Sequence, residues 1–262
     1  MPMENVTDHH VYTYTIRNTE TDFRDRIHLQ TLFSMLQEAA SLNANVYDLG
    51  AERLDPMNMC WLLLRVSVRM KRMPAWMDTI HVETWSRGAD KIYFMRDFII
   101  RDDSGEELGA ASSVWIVVDR DSHRPVRPTN LLEYAKVASD PQRVFEDFDP
   151  PKLSAKRAFG NPEDCESHST VTKRADYSEI DRNHHVNNTR YVAWCLDTFY
   201  KDKTSWRTVT GIDINYFSEI HFGSKIYLHL DESGADAQID GYVAGSSKPA
   251  FSAVLYAEQS EE

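Results

Sequence analysis

The sequence predicts an α+β protein in which one unit, a long helix followed by an antiparallel meander of strands, occurs twice. Three observations predict this fold: an internal repeat, a helical segment ahead of each copy, and alternating apolar segments after each helix. A meander with one apolar face can wrap around a helix and bury that face against it. Two such units could also pair their sheets edge to edge, which would hide the exposed edges.

The internal repeat runs at one constant spacing of 146 residues. Alternating apolar residues and a Gly-Ala-Asp turn match at this spacing without a gap. Three matches in a single register favour duplication of a strand-turn-strand unit over chance. The matched segments are Val66–Val68 with Ile212–Ile214, Asp78–Val82 with Ser224–Leu228, and Gly88–Asp90 with Gly234–Asp236.

Helical periodicity comes before strand-like periodicity in each half of the chain. The apolar positions at helical spacing are Leu29, Phe33, Leu36 and Ala40 in the first half, and Val192, Leu196 and Phe199 in the second. The predicted strands cover residues 61–73, 79–87, 91–102 and 107–119, and then 208–219, 224–232, 236–244 and 249–258.

Prolines mark the boundary between the halves, since six of the ten lie between residues 125 and 162. Proline fixes φ and removes a backbone donor, so this density predicts little regular structure. We assign residues 121–165 to a linker that includes one short helix near residues 130–138. The two repeated halves are then residues 1–120 and 166–262.

The composition is that of a globular protein, with 42% hydrophobic and 27% charged residues in a chain of 262. A net charge of −12 argues against nucleic-acid binding, which requires a positive field. No apolar run reaches the roughly 18 to 20 residues that cross a bilayer, and the N-terminus lacks the pattern of a secretory signal. The scattered Cys60, Cys165 and Cys195 predict neither disulfides nor a zinc site. We therefore expect a cytoplasmic protein.

The two halves differ most just before the second helix, where the sequence from Asp181 to Asn188 reads Asp-Arg-Asn-His-His-Val-Asn-Asn. The stretch before the first helix, Asp25–Gln30, contains a histidine but no asparagine pair. Downstream, the constant spacing places Glu219 opposite Met73. The second half thus carries an amide, an imidazole and a carboxylate where the first half has mostly apolar or basic residues.

An amide, an imidazole and a carboxylate suit general acid-base chemistry with water. The carboxylate of Glu219 can take a proton from water, and the imidazole of His185 can orient that water or relay the proton. The amide of Asn183 can donate a hydrogen bond to a carbonyl, and free N–H groups of a helix starting near Asn188 suit an oxyanion. This chemistry requires no metal and no organic cofactor.

Ordinary structural roles explain some of the same residues. Asn187 or Asn188 is more typical of a helix cap than of a catalyst. His184 fits an exposed or structural position, and Glu219 could simply face solvent from a strand. The residues by themselves therefore indicate a possible acid-base site and no specific reaction.

At these residues the sequence resembles the plant and bacterial acyl-acyl carrier protein thioesterases, over residues 12–256. The motifs that carry the resemblance are Leu32–Ala40, Trp61–Arg65, Pro74–Asp78, Val82–Trp85, Asp181–Asn188 and Tyr216–Glu219. The resemblance implies a tandem (double) hotdog fold and hydrolysis of fatty acyl-acyl carrier protein to free fatty acid. It also implies that residues 1–120 accommodate the acyl chain and that residues 166–262 carry the chemistry.

The resemblance places catalytic roles on Asp181, Asn183, His185 and Glu219, with Asp181 supporting the loop. Many plant members have a cysteine after the glutamate, but Ile220 stands there in this chain, so a cysteine mechanism is absent at that position. Cys60 and Cys195 fit core packing better than nucleophiles. For the acyl chain we expect a lining drawn from the first helix and first sheet, namely Met35, Leu36, Met59, Leu63 and Met73.

The implied partner, an acyl carrier protein, is acidic, so an acidic enzyme needs a local basic patch to dock it. Two basic stretches are candidates, and a solvated face is the alternative for both. They contain Arg65, Arg69, Lys71 and Arg72, and then Arg120, Arg124 and Arg127. A duplicated hotdog is compatible with a monomer or a homodimer.

Three other functions remain open at this point. A hotdog thioesterase acting on coenzyme A esters would use the same chemistry. A hotdog dehydratase would use a histidine and an acid to form an enoyl product, and an acyl-binding protein would show no turnover.

Overall fold

The computed structural model describes residues 9–132, 139–155, 170–201, 207–233 and 236–258. The chain divides into two units, Met1–Pro150 and Pro151–Glu262. Each unit contains one main helix and an antiparallel sheet whose described strands follow the same order. Both predicted main helices and all eight predicted strands are present, with ends shifted by a few residues.

The first unit contains five described strands in the order β1-β3-β4-β5-β2. Helix α1 is amphipathic and buries its apolar face, including Leu32, Phe33 and Ala39, in the unit's core. The elements are β1 (His9–Thr15), α1 (Leu29–Val46), α2 (Ala51–Leu54), β2 (Met59–Met70), β3 (Thr79–Asp90), β4 (Tyr93–Asp102), β5 (Glu107–Asp119) and α3 (Pro128–Leu132). Single-turn 3₁₀ helices cover Asn18–Glu20 and Asp55–Met57.

The second unit repeats this arrangement with the described strands in the order β7-β10-β9-β8-β6. Its main helix buries Tyr191, Trp194, Cys195 and Phe199. The elements are β6 (Thr170–Arg174), a 3₁₀ turn (Tyr177–Glu179), α4 (Asn188–Tyr200), β7 (Val209–Tyr216), β8 (Lys225–Ser233), β9 (Asp236–Val243) and β10 (Phe251–Ala257). No helix within the described ranges is long and apolar enough to cross a membrane.

The short strands β1 and β6 are absent from the sequence-based prediction. Each pairs antiparallel along one edge of its unit's sheet, β1 with β3 and β6 with β8. Half or more of their residues are polar or charged, and every residue of both strands is only partly buried or exposed. Their strand conformation therefore depends on pairing with the neighbouring strand more than on an apolar pattern.

The segment predicted as a linker, residues 121–165, is divided between the units at Pro150 and Pro151. Residues 140–149 are tied to the first unit by side-chain hydrogen bonds: Asp97 accepts one from the Val144 N–H at 3.0 Å, and Arg87 donates one to Asp149 at 2.6 Å. The short predicted helix is observed at Pro128–Leu132. Three other parts of the prediction lie outside the described residues. They are the rest of that predicted helix, the turn residues Gly234 and Ala235, and Cys165.

A buried carboxylate joins the strands in both units. In the first unit, Asp97 of β4 is fully buried and accepts a hydrogen bond from Ser112 of β5 at 2.6 Å. In the second unit, Asp240 of β9 accepts one from Ser252 of β10 at 2.5 Å. Asp97 also lies 3.4 Å from the guanidinium of Arg87. Its donors compensate for the cost of burying the charge.

We expect Asp97→Ala to lower the free energy of unfolding by about 1 to 3 kcal/mol, because it leaves the Ser112 hydroxyl and the Val144 N–H without their acceptor. Urea denaturation of the full chain measures this change. Asp103→Ala is the matched control, since the side chain of Asp103 is 71% exposed and its pairing with His81 should contribute at most about 1 kcal/mol. Equal effects of the two substitutions would contradict the assignment.

Candidate active site

A tight loop precedes the main helix of each unit, and the two loops share one hydrogen-bonding pattern. In the second unit, the Asp181 N–H donates to the His185 carbonyl at 2.8 Å, and an antiparallel bridge joins Ile180 and Val186. In the first unit, the Asp22 N–H donates to the Arg26 carbonyl at 2.8 Å. The second loop is therefore a structural copy of the first.

This pattern corrects the alignment of the loops expected from the sequence. Asp181 corresponds to Asp22, not Asp25, because both aspartates accept a hydrogen bond through Oδ1 from the backbone N–H two residues later. Asp25 corresponds instead to His184, since both have left-handed backbone, with φ of 61° and 65°. His185 then stands where the first unit has Arg26.

Glu219 lies just beyond strand β7, which ends at Tyr216 and not at residue 219 as the sequence predicted. The ladder stops because the N–H groups of Phe217 and Ser218 both donate to the carbonyl of Ala250. In the first unit, Lys71 and Arg72 likewise donate to one carbonyl, that of Leu108. This equivalence confirms that Met73 is the counterpart of Glu219.

The structure brings His185 and Glu219 together. The Nε2 atom of His185 lies 3.2 Å from an Oε atom of Glu219, and their side chains are 24% and 31% exposed. The Val186 N–H donates to the Ile220 carbonyl at 2.8 Å, which fixes the loop against the segment that carries Glu219. The pair is thus held by backbone contacts and remains open to water.

Asp181 and Asn183 occupy different positions in this loop. The Asp181 carboxylate accepts a hydrogen bond from the Asn183 N–H at 2.8 Å and so shapes the turn. Asn183 is exposed. Asn187 caps α4, as predicted, because its Oδ1 accepts a hydrogen bond from the Thr189 N–H at 2.9 Å.

Glu179, which the sequence analysis did not single out, anchors the loop. Its carboxylate accepts hydrogen bonds from the Asp176 N–H at 2.9 Å and from Trp194 Nε1 at 2.8 Å, and lies 3.0 Å from Lys173 Nζ. Burial alone would raise the pKa of Glu179, but these hydrogen bonds outweigh it and hold the pKa below its ordinary value. The sequence signal is a glutamate at the third position of a helical turn, as in a capping box.

Tyr191 is a second residue that the sequence analysis missed. It is 3% exposed, and its hydroxyl is hydrogen-bonded to the backbone of Ile220, next to Glu219. Burial raises the pKa of Tyr191, and the nearby charges of Glu219 and Asp181 add to this, so the phenol stays neutral. Tyr191 therefore joins α4 to the segment that carries Glu219.

Cys60 and Cys195, the two cysteines within the described residues, lie where packing explains them. Cys195 is fully buried in α4, and burial raises the pKa of its thiol well above the ordinary value. A thiol that resists ionisation is a poor nucleophile. Cys60 is half-buried in β2, and the residue after Glu219 is the buried Ile220.

A second imidazole, that of His221, lies beside the His185–Glu219 pair. His221 forms an antiparallel bridge with His185, and their ring centroids are 4.8 Å apart. One potential ligand atom from each of His185, Glu219 and His221 lies within 4.8 Å of the other two. These three residues could hold a metal ion. Ala75 bridges Arg26 at the equivalent place in the first unit.

The first unit contains a partly open pocket, with a cavity volume of about 90 Å³, beside the C-terminal half of α1. None of the five residues expected to line an acyl site is part of its lining. Met35, Leu36 and Leu63 are buried in the core, Met59 packs against a neighbouring apolar cluster, and Met73 lies beyond β2. The lining comprises Ala40, Ser41, Ala44, Tyr47, Leu49, Trp61, Ser86, Gly88, Ala89, Phe94, Met95, Arg96 and Trp115.

Arg96 is the one charged residue in the lining of the pocket, which otherwise consists of apolar, aromatic and small residues with two serines. Arg96 donates hydrogen bonds to Asn43 of α1 and, at 3.1 Å, to Thr84 of β3. Desolvation lowers the pKa of Arg96 to about 10, although the nearby Tyr47, Tyr12 and Asp97 act in the opposite direction.

Most of the basic side chains considered for partner docking have acidic or aromatic neighbours. Lys71 lies 2.8 Å from Glu107, Arg72 lies 2.6 Å from Asp102, and Arg120 lies 2.5 Å from Asp55. Arg65 and Arg69 stack over the rings of Tyr93 and Phe148. Arg124 and Arg127 are exposed.

Two family models match the chain. The model of the acyl-ACP thioesterase N-terminal domain matches residues 7–132, and that of the acyl-ACP thioesterase C-terminal domain matches residues 163–247. Together they cover most of the chain, and the boundary between them falls in the segment that joins the two units.

Curated relatives agree with the family models. An oleoyl-acyl carrier protein thioesterase 2 (chloroplastic) of Arabidopsis thaliana is 23% identical over 79% of this chain and 58% of its own length. A chloroplastic palmitoyl-acyl carrier protein thioesterase of Cuphea hookeriana is 28% identical over 79% of this chain and 50% of its own length. The chain thus spans little more than half the length of these relatives.

Two solved structures share the fold of this chain. An acyl-ACP thioesterase from Bacteroides thetaiotaomicron superposes with a TM-score of 0.79 at 23% identity, over 96% of this chain and 98% of its own. A 12:0-ACP thioesterase from Umbellularia californica gives a TM-score of 0.79 at 20% identity, with the same coverage.

We expect Glu179→Gln to lower the free energy of unfolding at pH 7 by about 1 to 3 kcal/mol, because an amide cannot accept all three hydrogen bonds. The pKa of Glu179 is lower in the folded protein than its ordinary value of about 4.5, which we take for the unfolded chain. Its carboxylate therefore stabilises the fold fully above pH 4.5, and this stabilisation is lost as the pH falls through the folded pKa. The difference from wild type should therefore shrink in acid. Urea denaturation from pH 7 down to pH 3 measures it, with the exposed Glu258→Gln as control. A difference that is constant over this range would contradict the role.

Proposed function

The chain belongs to the acyl-ACP thioesterase family, and from this premise we propose that it hydrolyses fatty acyl chains carried by acyl carrier protein. The products are free fatty acid and the carrier thiol, and the reaction ends chain elongation. We further propose that the two units form a tandem hotdog, each a long helix wrapped by an antiparallel sheet.

One observation carries this proposal. The two units contain the same loop and the same strand ending, but only in the second unit do this loop and strand ending bring an imidazole to within 3.2 Å of a carboxylate. The first unit has Arg26 and Met73 at the equivalent positions. A partly exposed His-Glu pair on a duplicated scaffold supports a site for acid-base chemistry in the second unit.

In the proposed mechanism, Glu219 takes a proton from a water molecule as the water attacks the thioester carbonyl. His185, whose Nε2 lies 3.2 Å from the Glu219 carboxylate, orients the water and passes the proton to the departing thiolate. The Asn183 amide and the N–H groups at the start of α4 stabilise the oxyanion. Asp181 acts as a positioning residue, because its carboxylate shapes the turn that carries Asn183 and His185.

The pocket in the first unit is the proposed place for the acyl chain. Its lining is mostly apolar and aromatic, with small residues on α1 where the chain would lie. Residues 1–120 would then accommodate the chain, residues 121–165 would connect the units, and residues 166–262 would carry the chemistry. The pocket residues replace the methionine-rich lining expected from the sequence.

For the acidic carrier protein, Arg124 and Arg127 are the preferred docking residues. They are exposed, whereas Lys71, Arg72 and Arg120 are already paired with carboxylates. The predicted cytoplasmic location stays a prediction, and the plant relatives named above are chloroplastic.

We expect Glu219→Gln and His185→Ala each to reduce kcat by about 100- to 10,000-fold on acyl-acyl carrier protein, because each removes a proton-transfer group. Cys195→Ala should leave kcat close to wild type. The assay follows release of the carrier thiol over a panel of chain lengths, with the matching coenzyme A esters in parallel. Full activity of Glu219→Gln would refute the mechanism, and a preference for coenzyme A esters would refute the proposed substrate.

We expect Ala44→Phe to shift the released fatty acids toward shorter chains, because the added ring fills the pocket. For the longest chain that wild type accepts, kcat/KM should fall at least about tenfold. Chromatography of the products from a mixed acyl panel measures the shift. Met73→Leu is the control, since Met73 does not line the pocket. The pocket assignment fails if both variants keep the wild-type profile.

A further inference from the structure

We infer that His185, Glu219 and His221 form a reversible binding site for a transition-metal dication of the zinc class, and that metal at this site blocks hydrolysis. The inhibition rests on the proposed function, whereas the metal binding does not. His221 is the deciding residue, because the proposed hydrolysis leaves it without a role.

The backbone places the two imidazoles for joint coordination. His185 and His221 face each other across an antiparallel bridge, a position where Cβ atoms lie roughly 4.5 to 5.5 Å apart. Glu219 is two residues before His221, and the intervening Ile220 is fully buried while its two neighbours are accessible. Glu219 and His221 are therefore both available on the solvent side of Ile220.

The distances between ligand atoms are close to those of a zinc site. Zn–N and Zn–O bonds of about 2.0 to 2.2 Å place tetrahedral ligands roughly 3.3 Å apart. The His185 Nε2 and Glu219 Oε2 atoms are already 3.2 Å apart, and all three potential ligand atoms lie within 4.8 Å of one another. Since His221 is exposed, a small rotation of its side chain can close the remaining gap.

The ligand set selects the type of metal. Two imidazoles and one carboxylate bind zinc, with the fourth position left to water. Mg²⁺ and Ca²⁺ prefer oxygen ligands and should bind weakly here. The net charge of −12 favours the approach of any cation, so selectivity has to come from the imidazoles.

Metal at this site would occupy the groups that hydrolysis uses. Coordination through Nε2 takes the lone pair with which His185 accepts a proton, and the bound Glu219 oxygen becomes a weaker base. The attacking water would then lose its proton acceptor. Zn²⁺ should therefore act as an inhibitor that a chelator reverses.

Binding is tested first, on the full-length, metal-free chain, by calorimetric titration with Zn²⁺ and by competition with a chromophoric chelator. Loss of an outer partner of a metal ligand already weakens metal binding by about 10- to 100-fold, so His221→Gln should weaken it at least about tenfold. The control is His81→Gln, which removes a partly exposed histidine that pairs with Asp103 in the first unit. Co²⁺ should give d–d absorption bands in wild type and His81→Gln but not in His221→Gln. Equal Zn²⁺ affinity in all three proteins would overturn the site.

Inhibition is tested second, with the same three proteins. Zn²⁺ should reduce thioester hydrolysis by wild type and His81→Gln, and a chelator should restore it. The His221→Gln protein should keep its metal-free activity and require at least about tenfold more Zn²⁺ for the same inhibition. Activation by Zn²⁺, or unchanged sensitivity of His221→Gln, would refute the inhibitory role. If no substrate is hydrolysed, the proposed function fails, and the titrations still decide on the site.

Discussion

In both units the main helix begins from a loop held by the carboxylate of one buried glutamate, Glu20 or Glu179. The Glu20 carbonyl accepts a hydrogen bond from the His28 N–H, and the Glu179 carbonyl accepts one from the Asn187 N–H, both at 2.8 Å. The carboxylates bind the N–H of Arg17 and Asp176, which closes a capping box in each unit. The direction of each helix and the position of its loop depend on this contact.

The same scaffold has different side chains in the two units, and this difference separates structure from chemistry. In the first unit, Asp22 pairs with Arg24 at 3.2 Å, so the loop contains a closed ion pair. In the second unit, Asn183 stands in place of that arginine. The hydrogen bond described for the Asp181 carboxylate is the one from the Asn183 N–H, which shapes the turn. Replacing a few side chains without changing the backbone is sufficient to convert a structural loop into one that presents His185 to Glu219.

The sequence predicted the secondary structure well where the apolar pattern is long. It did so less well where contacts between distant segments determine the conformation of the backbone. The main helices and long strands bury one face, so their periodicity is readable. The loop equivalence was shifted because a spacing of 146 residues holds for the strands, whereas Glu20 and Glu179 of the loops are 159 residues apart. The first unit accounts for the difference with a longer main helix and the extra turns of Ala51–Met57.

The candidate site was predictable in its residue types but not in its geometry. The Asp-Arg-Asn-His-His stretch and Glu219 are visible in the sequence, yet neither the end of β7 nor the bridge to His221 is encoded by a local pattern. The acyl lining expected from the sequence was drawn from methionines, which suggest an adaptable surface, and it stays a prediction, whereas the observed pocket forms where Ala40 and Ala44 leave space. A cavity depends on the absence of side-chain volume, which an apolar pattern does not report.

Tyr191 connects the helix core to the proposed chemistry. Its ring packs edge-on against Tyr216 and Phe251, and its hydroxyl is hydrogen-bonded to the backbone of Ile220 between Glu219 and His221. Glu219 itself lies outside the strand ladder, and this contact and the Val186 N–H to Ile220 bond both tie down the residue next to it. The buried ring of Tyr191 therefore links the packing of α4 against β7 and β10 to the backbone beside Glu219. A buried aromatic core thus lies next to a His185–Glu219 pair whose side chains are both partly open to water.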